Sequence, residues 1–73
     1  MPDIKPFIQT VLTKEQIATL NILLKIGDNE ERQSSLKSFF HTPEIFNKIK
    51  PTIDPAWLSY QIFINSNSKA YEF

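Results

Sequence analysis

Four helix-start signals within 73 residues constrain the fold of this chain more than any other feature. They are Thr13 with Gln16, Asp28 with Glu31, Thr42 with Pro43, and Asp54 with Pro55. Each sets a side-chain oxygen where the first unpaired N–H groups of a helix need an acceptor. Two follow it with proline, whose missing N–H costs nothing at the first helical position. The punctuation predicts short helices joined by tight connections, so sequential helices should be neighbours.

The apolar spacing agrees. Ile4, Phe7, Ile8, Val11 and Leu12 fall at i, i+3, i+4, i+7 and i+8, one helical face over residues 4–12. Asp3 is placed to cap that helix, with Pro6 in its first turn. Thr10 and Val11 are β-branched, so an extended segment across the core is the rival reading there.

Residues 14–26 read as the firmest helix. A capping box opens it, and Gly27 should close it as the residue after the C-cap. Ile17, Leu20, Leu23 and Leu24 form one stripe, and Ala18, Ile22 and Ile26 a second. Lys14, Asn21 and Lys25 fill the narrow polar gap, so this helix is expected to be central. Residues 29–40 begin with NEERQSS, read as a solvated first half. Leu36, Phe39 and Phe40 anchor the second half.

Residues 43–50 form a short helix with Ile45, Phe46 and Ile49 inward, stopped by Pro51 because a residue before proline avoids the helical region. Residues 55–65 form the last helix. Ala56, Trp57, Tyr60, Phe63 and Ile64 cover one face, and Leu58 and Ile62 point the opposite way. The fold class is therefore all-α, a small irregular bundle of four to five short helices. The expected core is Leu20, Leu24, Phe39, Phe46, Trp57 and Phe63, with Trp57 as its main anchor. Residues 1–65 make a single helical domain. Residues 66–73 are a polar C-terminal tail, expected to be disordered, with Tyr71 and Phe73 folding back onto the first helix as the alternative.

Composition narrows the function classes. There is no cysteine and one histidine, so neither disulfides nor a metal can brace so short a chain. Eight Lys and Arg balance eight Asp and Glu, which leaves no basic excess for electrostatic binding of nucleic acid. The opening MPDIKPFIQT does not resemble a secretory signal, and no apolar run approaches a membrane span. The expected location is cytoplasmic, without membrane contact.

No serine has a nucleophile context, His41 has no partner for acid–base work, and Gly27 alone cannot build a phosphate loop. His41 is expected at a helix end, where its charge suits the dipole. The reading is a non-enzyme without cofactor or metal.

Two helices apolar on more than one side suggest a protein–protein interaction or adaptor module, binding another protein or a second copy as a homodimer. The candidate partner-binding residues are the apolar groups off the main stripes, Ile22, Ile26, Leu58 and Ile62, together with Tyr60. The alternative is a helix-turn-helix-like DNA-binding regulator. Thr42, Glu44, Asn47, Lys48 and Lys50 would then face DNA, and Arg32 and Lys37 would add phosphate contacts.

Overall fold

Local chemistry sets the helix starts, and the computed structural model, which describes residues 4–68 and 71–73, contains five helices and no strand among them. They are α1 (Ile4–Val11), α2 (Lys14–Leu23), α3 (Asn29–Phe40), α4 (Pro43–Ile49) and α5 (Pro55–Ser66). The extended alternative for the first segment is excluded, since Ile4–Val11 is helical and buries Ile8, with Leu12 buried just beyond its end. Asp3, its expected cap, lies outside the described residues.

Three of the four start signals act as side-chain caps. Thr13 accepts the Gln16 N–H at 3.2 Å while the Gln16 side chain accepts the Thr13 N–H at 3.0 Å, a complete capping box. Asp28 accepts the Glu31 N–H at 2.8 Å, and Asp54 accepts the Trp57 N–H at 3.3 Å. Thr42 holds the N-cap position of α4 without capping it. Its hydroxyl instead donates back to the Ser38 carbonyl at 3.2 Å, which also accepts the His41 N–H at 3.2 Å in the last turn of α3.

Two helix ends differ from expectation. α2 stops at Leu23, three residues early, and Leu24, rather than a residue before Gly27, is its C-cap. Tight i→i+3 bonds from Lys25 N–H to the Ile22 carbonyl and from Ile26 N–H to the Leu23 carbonyl wind it down. Gly27 does not adopt the left-handed conformation of a C′ residue. α4 does stop before Pro51, but Lys50 keeps helical angles (φ −51°, ψ −40°). The stop comes from the donor that proline lacks rather than from a steric shift of its predecessor.

The core gathers Ile8, Leu12, Leu20, Leu24, Leu36, Phe39, Phe40, Ile45, Ile49, Leu58 and Ile62. Phe39 and Phe40 meet edge to face, with centroids 5.0 Å apart. Of the six expected core residues, Leu20, Leu24 and Phe39 are buried, Phe46 and Phe63 are half-buried, and Trp57 is exposed.

The hub is α3, not α2. α3 packs most extensively on α5 and also carries α2 and α4. The reason is a side chain that the reading of NEERQSS as solvated had assigned to water. Arg32 is only 5% exposed and continues the Leu36–Phe40 stripe one turn toward the helix start. α2 keeps Ala18 and Ile22 in solvent.

Residues 71–73 are also placed. Tyr71 and Phe73 pack against the core, Lys5 Nζ lies 4.8 Å from the Tyr71 ring centroid, and the Phe73 N–H donates to Asn21 Oδ1 at 2.8 Å. The fold-back reading holds for this end of the tail, with the addition that Asn21 of the α2 polar gap receives it.

Candidate interaction surface

α5 has two apolar faces, and its rotation decides which one meets water. Leu58 and Ile62 are fully buried, so they are core residues and not the surface groups expected from their place off the main stripe. Trp57, Tyr60 and Ile64 point outward and are 41%, 51% and 43% exposed. The expected places of Trp57 and of Leu58 and Ile62 are thus exchanged, while Tyr60 is exposed as expected and Phe63 packs half-buried against the core.

Arg32 explains the exchange. Its Nε donates to Ser66 Oγ at 2.8 Å, its Nη1 to the Ile26 carbonyl at 2.7 Å, and its Nη2 to Asn29 Oδ1 at 2.8 Å and to Asn67 Oδ1 at 2.5 Å. Ser66 passes the chain on by donating to the Phe63 carbonyl at 2.6 Å. Ser66 lies one turn beyond Ile62 and two beyond Leu58, so turning Ser66 toward Arg32 turns both of them inward. Pro55 and Ser59 complete the inner face, with Ser59 Oγ bonded to the Ala56 carbonyl at 3.0 Å.

Every acceptor on Arg32 is a neutral oxygen. Burying a cation is tolerable only when its donors are satisfied. Here one backbone carbonyl, that of Ile26, and three side-chain oxygens, those of Asn29, Ser66 and Asn67, surround the guanidinium. The Phe63 ring, 5.3 Å from the guanidinium carbon, adds a cation–π contact.

The outer face is uncharged. No Asp, Glu, Lys or Arg occurs between Asp54 and Lys69. Trp57, Tyr60 and Ile64 follow i, i+3, i+7 spacing and make one stripe, bordered by exposed Ala56, Asn65 and Asn67 and by half-buried Gln61 and Phe63. An aromatic centre with an amide rim matches the anatomy of protein–protein interfaces.

The other candidates lie elsewhere. Among the described residues Ile22 is the most exposed large apolar side chain at 66%, on α2, which packs chiefly on α3. Ile26 is half-buried, and its carbonyl is taken by Arg32. The five sequence candidates therefore do not form one patch. Tyr60 is in the stripe, Ile22 and Ile26 are on or beyond another helix, and Leu58 and Ile62 are inside.

The residues of the DNA-binding alternative divide as well. Thr42, Glu44, Asn47, Lys48 and Lys50 are exposed along α4 and its ends, but Lys48 Nζ donates to Gln16 Oε1 at 3.3 Å and Lys50 Nζ lies 5.8 Å from the Phe46 ring centroid. Arg32, assigned a phosphate contact, is buried, with all three of its nitrogens hydrogen-bonded inside the protein. His41 caps the end of α3, donating from Nδ1 to the Lys37 carbonyl at 2.7 Å, with its ring 5.7 Å from that of Phe46. No three His, Cys, Asp or Glu side chains converge among the described residues, and no helix there is long and apolar enough to cross a membrane.

Comparison of the chain with known protein families, curated proteins and solved structures gives no match.

Proposed function

We propose that this protein is a non-enzymatic interaction module that binds another polypeptide through the outer face of α5, with Trp57, Tyr60 and Ile64 as the contact residues. One observation carries the reading. A helix free of charge from end to end turns three large apolar side chains to solvent while smaller ones fill its core face. Exposed apolar residues scattered singly are ordinary, but an uncharged aromatic stripe is the pattern of a binding hot spot. Action is stoichiometric and needs no cofactor. A reducing, cytoplasmic setting belongs to the same proposal, supported by a chain without cysteine.

A photo-crosslinking side chain at Tyr60 tests it, with the same group at exposed Glu30 as the control. Protein adducts should form from position 60 and fall about 30-fold when Ile64→Asp is added, the loss expected for a hot spot of ~2 kcal/mol. Equal adducts from position 30 would refute the assignment. Low-salt gel shifts that Lys48→Ala and Lys50→Ala abolish would move the function to α4 and DNA.

A further inference from the structure

We infer that the occupant of the α5 face is the α5 of a second copy, laid antiparallel about a twofold axis near Tyr60. This rests on the reading of α5 as the interaction face and names its partner. Charge comes first. α5 carries no ionic side chain from Pro55 to Ser66, so antiparallel pairing along it sets no like charges of the two helices against each other, and its stripe gives up no hydrated charge on docking. The whole chain has a formal net charge of zero, so no long-range repulsion opposes the encounter.

Shape supplies the second argument. In a twofold interface residue i meets residue j while j meets i. Trp57 and Ile64 flank Tyr60 at nearly equal distances along the helix. Antiparallel pairing therefore sets Trp57 of each protomer beside the partner's Ile64, a large side chain against a medium one on both sides. The two Tyr60 rings then share the centre, with hydroxyls at the rim. The three-then-four spacing of 57, 60 and 64 is the spacing by which paired helices interlock. A parallel pairing would instead stack Trp57 on Trp57 and leave Ile64 facing Ile64, overfilled at one end and underfilled at the other.

Extent sets the strength. A helix of 12 residues is only about 18 Å long. Pairing along it buries less than the ~800 Å² per partner of a standard interface, so the dimer should form in the range of tens of micromolar or weaker.

Sedimentation of the full chain, read together with Trp57 emission, decides the matter. Trp57 is the only tryptophan, so its fluorescence reports on this face alone. The mass should rise from 8.5 kDa to twice that value as concentration increases. At the same midpoint the emission should shift to the blue and become less open to acrylamide quenching. Ile64→Asp, with an unchanged helical circular dichroism signal, should push the midpoint up at least tenfold. Tyr60→Lys serves if that variant unfolds. Trp57→Lys and Ile64→Asp chains, each monomeric alone, should associate when mixed, because antiparallel pairing sets position 57 beside the partner's position 64.

Dimers whose Trp57 emission stays constant, or that survive Ile64→Asp, would overturn the inference. So would a mixture of the two variants that stays monomeric, or a wild-type monomer throughout. In that last case, crosslinks from Tyr60 to a different protein would still uphold α5 as the interaction face, so the two proposals fail separately.

Discussion

Arg32 is the residue on which three helix ends close. Its four donor bonds reach Ile26 beyond α2, Asn29 at the start of α3, and Ser66 and Asn67 at the end of α5. A guanidinium can serve so many acceptors because its N–H groups spread in one rigid plane, whereas an ammonium is a compact point charge. Arg32→Lys keeps the charge but leaves two or more of those acceptors without a donor, at about 1 kcal/mol each. The expected loss is roughly 2 kcal/mol, or a fall in melting temperature of about 10 °C for a domain of this size. Thermal unfolding followed by circular dichroism measures it. A Lys variant that melts with the wild type would show that the network contributes no stability. The position was legible, since 32 lies one turn before Leu36 and shares its face. The charge hid it, because a charged residue in a polar run reads as solvated until its acceptors are known. Those acceptors are 34 and 35 residues away in sequence for Ser66 and Asn67.

At the scale of the element, α5 shows why periodicity alone could not assign its faces. Both of its sides are apolar, and the expected core took Trp57 and Phe63 from one side and left Leu58 and Ile62 on the surface. The structure selects the other side, because Pro55, Leu58, Ser59, Ile62 and Ser66 form a slimmer face that lets α5 approach α3, and because Arg32 fixes Ser66 inward. A pair of matched substitutions separates the two rotations. Leu58→Asp buries an unpaired carboxylate in the core and should lower stability by ~4 kcal/mol or more, a large share of the about 5–10 kcal/mol that such a domain holds. Trp57→Asp puts an acid in the exposed first turn of α5, where the helix dipole favours it, and should stay within about 1 kcal/mol of wild type. Urea titrations of both variants read the difference. The reverse order, with Trp57→Asp the more destabilised of the two, would restore the rotation with Trp57 inside and Leu58 outside. Helix boundaries, by contrast, were legible to within a residue or so for α1, α3, α4 and α5. They depend on caps and prolines that act within a few residues, while the choice of face depends on partners far along the chain.

Across the whole molecule, α3 gathers α2, α4 and α5, while α1 is closed over from the other end of the chain. Residues 71–73 form that closure. Lys5 of α1 lies over the Tyr71 ring, Tyr71 meets Phe73 edge to face at 5.5 Å, and Asn21 of α2 accepts the Phe73 N–H. The segment thereby touches both of the first two helices. Both aromatics are half-buried, and burying such side chains contributes roughly 1.5–3 kcal/mol each when complete, so the strap is worth about 2 kcal/mol to α1. Local opening draws on the least-braced unit first. Replacing both rings, Tyr71→Ser with Phe73→Ser, should therefore speed amide exchange in α1 about 30-fold, the equivalent of 2 kcal/mol. Exchange around Leu36 in α3 and Ile62 in α5 should change little, since Arg32 and the α3–α5 contact stay intact. Residue-resolved hydrogen exchange distinguishes three cases. Fast exchange confined to α1 identifies the strap as its clamp. An equal rise in α1, α3 and α5 would mean that the strap belongs to the single cooperative core. No change in α1 would mean that Ile8 and Leu12 hold that helix without it.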